Sequence, residues 1–312
     1  MSSTDAVARG KLERPTPGLV EIALLGGLSL AWGTSYMFTK IAVQAVSPIT
    51  LIAVRTLIAS ALMLVYLSAK GALPRLSRRD IAAFLLVGLL SNAAPLCLIA
   101  ISVQHIDSSV TATTMALVPL LTVFYGMIGG VYPSVRSVFG VLVGLTGIVV
   151  LFGPEVFLTF GDSARGLAAA AGASLIFSAS LFSVRLVRRH DSAAITTFSL
   201  MAAAFWAVIF ALLVDGVPHM LPSAGITATV LVLAVWNTAA ASFLMYATVS
   251  RAGPAFTSYN NYLVPVVAVV CGALILDETL TRQSIMGVIL VLSGVAISTV
   301  RRRVRPDAAP PA

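Results

Sequence analysis

Apolar residues in this chain come in long runs, each about as long as a helix needs to cross a bilayer. A hydrocarbon layer of about 30 Å takes about 20 residues of helix, and helix satisfies every backbone group without water. Ten runs of that order follow in succession: Val20–Val43, Pro48–Ala69, Ile81–Ser102, Ser108–Ile128, Ser134–Phe152, Gly166–Val184, Ala193–Val214, Ile226–Thr248, Pro254–Leu276 and Ile285–Val300. The polar connections are short, the longest being Gly153–Arg165 and Asp215–Gly225, which leaves no room for a folded domain outside the membrane. The pattern predicts an all-α polytopic membrane protein of ten transmembrane helices, with any function lodged among them. The first run follows a polar stretch with Arg9, Lys11 and Arg14, exceeds a signal-peptide core in length and is not interrupted by a small-residue cleavage site, so it is expected to be retained.

Charge then orients the chain. Arg9, Lys11 and Arg14; Lys70, Arg75, Arg78 and Arg79; Arg136; Arg185, Arg188 and Arg189; Arg251; and Arg301, Arg302, Arg303 and Arg305 fall on one side, sixteen in all, against Arg165 and Arg282 on the other. Basic loops stay in the cytoplasm, so both termini are expected there, and an even helix count is required for the alternation to hold. Composition agrees: of 312 residues 58% are hydrophobic and 10% charged, where a typical soluble domain has about 25% charged. An ordinary soluble enzyme is excluded. The net charge of +8 does not point to nucleic acid, because the basic residues sit in short clusters between apolar runs.

An internal repeat appears at an offset of 145 to 147 residues. Asn92 maps to Asn237, Thr113-Thr114 to Tyr259-Asn260, Pro119 to Pro265, and the Gly140–Gly147 stretch to Gly287–Gly294. Each copy holds five helices, and because five is odd the second enters the membrane with opposite topology. Inverted repeats of this kind build many secondary transporters, with substrate near mid-membrane between the halves. The expected divisions are a cytoplasmic segment 1–19, a first repeat 20–152, an external loop 153–165, a second repeat 166–300 and a basic cytoplasmic tail 301–312.

Trp32-Gly33-Thr34-Ser35-Tyr36, Arg55, Val118-Pro119-Leu120, and Val264-Pro265 through Asp277-Glu278-Thr279-Leu280 to Gly287 and Gly294 resemble the EamA family, the ten-helix branch of the drug/metabolite transporter superfamily. The resemblance spans Val20 to Val300. It implies a bacterial inner-membrane exporter of amino acids, other metabolites or drugs, and the chain looks most like exporters of aromatic amino acids. One departure is that the first repeat has Tyr132 and Pro133 where the second has Glu278, so a role for Glu278 is not duplicated.

Polar side chains inside a bilayer are costly, which makes them the candidates for transport chemistry. Arg55 lies eight residues into its run, about 10 Å below the outer face at 1.5 Å per residue. It either anchors a substrate carboxylate or the outer gate, pairs with a loop acid such as Asp107 or Glu278, or snorkels outward. Asn92 and Asn237 fall halfway along their helices and serve either a ligand or helix-to-helix bonding. Trp32, Ser35, Tyr36 and Thr39 form a polar and aromatic stripe, and Trp236 adjoins Asn237. Tyr259-Asn260-Asn261-Tyr262 precedes Pro265, which removes a backbone bond to the Asn261 carbonyl and predicts a kink, as Thr113-Thr114 precedes Pro119. The expected substrate-binding set is Trp32, Tyr36, Arg55, Asn92, Thr113, Trp236, Asn237, Tyr259, Asn260 and Tyr262, with Pro119 and Pro265 as hinges.

Glycines at 140, 144, 147, 287 and 294 suit close packing within one chain or between two copies, so a homodimer is among the expected partners, with the lipid bilayer and a small-molecule substrate. Cys97 and Cys271 lie in apolar runs and read as small buried groups, and His105, His190 and His219 are scattered in loops, so no metal or cofactor is expected. No phosphate-cradling loop, H-E-x-x-H, G-x-S-x-G or C-x-x-C occurs, which removes the anchor for ATP hydrolysis, protease, lipase or redox chemistry. The remaining rivals are proton-coupled drug efflux, disfavoured by the lack of a mid-membrane carboxylate, and a membrane-embedded enzyme acting on lipids.

Overall fold

In the computed structural model the described residues are 18–118, 121, 124–125, 135–152, 162–216, 223–252, 257 and 260–299. They form helices α1 (Leu19–Ala42), α2 (Pro48–Ala69), α3 (Arg78–His105), α4 (Ser108–Met115), α5 (Val135–Phe152), α6 (Asp162–Ser183), α7 (Ser192–Val214), α8 (Ala224–Ala234 continuing into Ala241–Ala252), α9 (Asn260–Ile275) and α10 (Arg282–Thr299), with no strand among the described residues. Each predicted run thus contains a helix. Six are long and apolar enough in themselves to cross a membrane: Leu19–Ala42, Pro48–Ala69, Arg78–His105, Ser163–Ser183, Ser192–Val214 and Ala224–Met245. Most of the fourth run beyond Val118 lies outside the described residues.

The helices of the two halves interleave. α2 packs along α7, α3 along α6 and the start of α7, α1 against α9 and α8, and α5 along α10. Small side chains permit these approaches: α7 buries Ala194, Ala202, Ala203, Ala204, Ala207 and Ala211, while α2 turns Val54, Leu57, Leu62 and Val65 outward, as expected of a lipid-facing stripe. The glycine stripes are spent inside the chain. A Cβ at Gly294 would strike the backbone of Gly144 and Gly140, and one at Gly147 would strike Leu290 and Val291. Buried hydroxyls return to carbonyls one turn back, as Ser29 to Leu25, Thr39 to Ser35 and Thr56 to Ile52, so polar side chains sit in these helices at little cost.

Two helices widen halfway along. α3 passes through a π-helical turn at Leu89–Ala93 and α8 through one at Val235–Ala240. In α3 the cause is Pro95, which has no N–H for the Ser91 carbonyl and whose ring crowds it. In α8 the Thr238 hydroxyl donates to the Leu233 carbonyl five residues back at 2.8 Å.

Candidate functional site

Both π-turns border one cavity of about 170 Å³, enclosed by α1, α2, α3, α4, α6, α8 and α9. Trp32, Ser35 and Tyr36 come from α1, Arg55 from α2, Ser91 and Asn92 from the first π-turn, Asn237 and Thr238 from the second, and Asn260 and Pro265 from α9. Leu96, Ile99, Met115, Val118, Phe177 and Val264 supply its apolar surface. Tyr36 is buried against Ala112, Val264 and Ala268, with Trp32, Ile99 and Met115 packed alongside.

Arg55 governs the electrostatics. It is 4% exposed, and its partners are neutral: Nε donates to Thr238 Oγ1 at 2.6 Å, and Nη2 to Ser35 Oγ at 3.1 Å and to the Asn237 carbonyl at 3.3 Å. No carboxylate among the described residues pairs with it. The two loop acids that could have paired with it are committed to Lys40. A guanidinium has five N–H donors, and both on Nη1 make no hydrogen bond to any described residue. A buried cation without a counter-charge is expensive, and this one stands at the edge of a cavity with two donors to spare.

Of the expected binding set, Trp32, Tyr36, Arg55, Asn92, Asn237 and Asn260 come together around this cavity, as does the hinge residue Pro265. Trp236 and Thr113 do not. Trp236 is 40% exposed, because one residue around a helix from the inward Asn237 faces a different direction. The Thr113 hydroxyl returns to the Ser109 carbonyl at 2.8 Å, and the residue lines a smaller crevice of about 100 Å³ between α4, α9 and α10. Tyr259 and Pro119 lie outside the described residues, and for Tyr262 only the backbone is described. Asn260 meets Ser29 Oγ at 2.9 Å. The sequence reading missed Ser91, Thr238 and Phe177. Pro95, three residues past Asn92, was the available signal for the first π-turn, whereas nothing of the kind marks the second.

Ionic clusters lie at both ends of the helices around the cavity. At the end the charge pattern assigns to the outside, Glu278 caps α4. Its Oε1 accepts from Ser108 N and Oγ, both at 2.8 Å, and its Oε2 from Ser109 Oγ at 2.7 Å and Ser109 N at 3.3 Å. Lys40 Nζ stands 3.4 Å from Glu278 and 2.9 Å from Asp107. Asp277, at φ 53°, turns the chain back to aim this carboxylate, and a Cβ at Gly272 would collide with it. Burial alone pushes the Glu278 carboxyl up, but the Ser109 and Ser108 hydrogen bonds and the Lys40 charge together hold it below the ordinary glutamate value. At the other end Asp80 accepts from Ser77 N at 2.8 Å and Ser77 Oγ at 2.7 Å, pairs with Arg189, and meets His190 Nε2 at 3.1 Å. There too Arg251 Nε bonds Glu21 at 3.0 Å. Among the described residues no three His, Cys, Asp or Glu side chains gather as a metal site would need.

The EamA-like transporter family profile matches residues 19–153 and again 164–300. The chain belongs to that family. It is 26% identical over 289 residues to the Escherichia coli protein named uncharacterized inner membrane transporter YedA, covering 90% of this chain and 91% of that one. It is 21% identical over 274 residues to the Bacillus subtilis uncharacterized transporter YoaV, covering 87% and 94%. A solved crystal structure aligns with TM-score 0.65 at 20% identity, covering 90% of this chain and 97% of that one, which shows a shared fold. Family, relatives and apolar spans together make this a multi-pass inner-membrane transporter.

Proposed function

We propose that this EamA-like protein exports small amphipathic metabolites, amino acids foremost and aromatic or other hydrophobic ones among them, through the cavity at Arg55. Two inverted five-helix repeats, both termini cytoplasmic, would expose that cavity to each side of the membrane in turn, facilitatively or by exchange. The observation that carries the reading is the buried Arg55 guanidinium, without a carboxylate partner among the described residues, beside Trp32 and Tyr36. A cation held by neutral partners and bordering an open space attracts a carboxylate, and the aromatic wall covers an apolar side chain. The space is of the right order, since a cavity of roughly 150 Å³ accepts one aromatic ring. Asn92, Asn237 and Asn260 supply further polar contacts to the same ligand. The Glu278 and Asp80 clusters support alternating access, because each ties helices of one half to the other at opposite ends and could open separately.

The test is flux in proteoliposomes of the purified protein with labelled amino acids and cationic dyes, with and without an imposed pH gradient. Amino-acid flux without the gradient is expected. Gradient-dependent dye flux in its place would overturn the proposal in favour of proton-coupled drug efflux.

A further inference from the structure

Inside a membrane protein a polar atom without a protein partner is a larger anomaly than a polar atom as such, because leaving it unsatisfied costs free energy. Three buried side-chain atoms among the described residues have none: Ser91 Oγ, Ser199 Oγ and Asn237 Oδ1. Two of the three belong to residues that line the central cavity, and those two lie one on each π-helical turn. Asn92, the neighbour of Ser91 on the first turn, also lines the cavity, and its amide bonds to no described residue.

The Asn237 side chain leaves little freedom of assignment. Its Nδ2 donates to the Ala31 carbonyl and to Thr34 Oγ1 at 3.0 Å. A backbone carbonyl can only accept, so the nitrogen must face α1 and the oxygen is the end left over. Asn237 is 1% exposed, and its Oδ1 can only accept. What it lacks is a donor, and the described residues supply none.

From these atoms we infer that the two π-turns form a donor-reading subsite, in which Asn237 Oδ1, assisted by Ser91 Oγ and Asn92, takes an N–H of the cargo while the cargo's carboxylate lies on Arg55. Asn237 is the residue that sets this specificity. The inference rests on the proposed transport of amino acids and sharpens it to a requirement: the cargo carries an anionic group and a protonated primary amine together. A π-turn suits the task because it places polar groups where a regular helix would tuck them against the preceding turn. Among the described residues no carboxylate lines the cavity. The ammonium is therefore held by neutral oxygens and by its own carboxylate, and an amine without a carboxylate meets the Arg55 charge uncompensated. An acid without an amine leaves Asn237 Oδ1 as it stands now, buried and unsatisfied, and sites built to bond a particular N–H discriminate strongly against ligands that lack it.

The experiment is competition against labelled L-phenylalanine counterflow in proteoliposomes of the full chain, with four unlabelled probes: L-phenylalanine, 3-phenylpropionate, N-acetyl-L-phenylalanine and phenethylamine. Ligand-induced thermal shift is read in parallel. L-phenylalanine is expected to compete at least tenfold better than each of the others. The advantage over 3-phenylpropionate should collapse in Asn237→Leu and narrow in Ser91→Ala, whose hydroxyl bonds to no described residue. Asn237 also ties α8 to α1, so if Asn237→Leu fails to insert, the probe series on the unaltered chain and Ser91→Ala decide. Competition by 3-phenylpropionate within threefold of L-phenylalanine would overturn the inference while leaving carboxylate transport standing. A tenfold preference undiminished in a well-inserted Asn237→Leu would overturn the assignment to Asn237. No response to any probe, by flux or by thermal shift, would remove the amino-acid reading and this inference with it.

Discussion

Replacing Arg55 by methionine should separate stability from function. In the folded chain the guanidinium is 4% exposed, and among the described residues it has Thr238, Ser35 and the Asn237 carbonyl as partners. An uncompensated buried charge costs several kcal/mol even after relaxation, and net contributions of about 1.5–3 kcal/mol for each of the three charged hydrogen bonds are of the same size, so the two sides nearly cancel. Arg55→Met removes both sides of that balance and keeps most of the apolar stem. The orphaned groups fare tolerably: Thr238 Oγ1 retains its bond to Leu233, and Ser35 borders the cavity. The variant is expected to insert normally and to melt no lower than the unaltered chain. Transport should behave oppositely. The two free Nη1 donors would make two charge-assisted bonds to a substrate carboxylate, together about 3–6 kcal/mol, and at about 1.4 kcal/mol per tenfold their loss lowers affinity by about 10²–10⁴. Arg55→Lys, which keeps the charge and loses the fork, should fall between. Flux per inserted molecule and melting temperature, measured on the same preparations, check both halves. Flux within threefold of normal in Arg55→Met would show that transport does not need Arg55, and a variant that fails to insert would make Arg55 a structural residue; either result would refute the reasoning.

Glu278→Gln should loosen the outer closure, so that a cysteine placed at Ser35 reacts faster with an impermeant thiol reagent added outside, and an unchanged rate would count against Glu278 as a latch. Because the folded Glu278 carboxyl titrates below its ordinary value, its stabilisation is complete above the free glutamate pKa of about 4.3 and lost as outside pH falls through the lower folded value. The unaltered chain should therefore gain external reactivity only in strong acid, while Glu278→Gln shows no such step from that carboxyl. Gly272→Ala should reproduce the opening at neutral pH, since its methyl would occupy the place of Glu278 Oε2. Gly33→Ala, whose Cβ would come within 2.5 Å of Val267 Cβ and Cγ1, is expected to destabilise the α1–α9 contact by about 1–3 kcal/mol, read as a lower melting temperature. An unchanged melt would show that α9 shifts freely.

The apolar runs announced the helices because in a bilayer the solvent dictates length and composition together. Where both ends are described they moved by only a few residues: the third begins at Arg78, where a Ser77–Asp80 capping box adds a polar first turn, and the second matches at Pro48–Ala69. The mid-helix residues Arg55, Asn92 and Asn237 were legible by the same rule, since a polar group there demands a reason. Trp236 and Thr113 misled because adjacency and repeat position ignore direction around the helix axis. The π-turns and the capping of α4 by Glu278 depend on widened backbone and on a contact between segments 170 residues apart, neither of which leaves a periodic trace. For Arg55 the sequence named the two candidate acids, and only geometry could reveal that Lys40 had claimed both.

The π-turns at Leu89–Ala93 and Val235–Ala240 also affect how this chain can change over evolutionary time. Each amounts to one extra residue threaded into a helix, and one residue is about 100° of rotation. Deleting a single residue there would restore a regular helix and swing everything beyond it, including Pro95 to His105 or Ala241 to Ala252, by more than a quarter turn. Substitutions at these turns adjust a site; deletions re-aim half a helix. Among relatives of this chain, a one-residue gap aligned to either turn should mark a protein with a rebuilt cavity and a different cargo, and length differences at these two places should separate groups by substrate better than overall identity does.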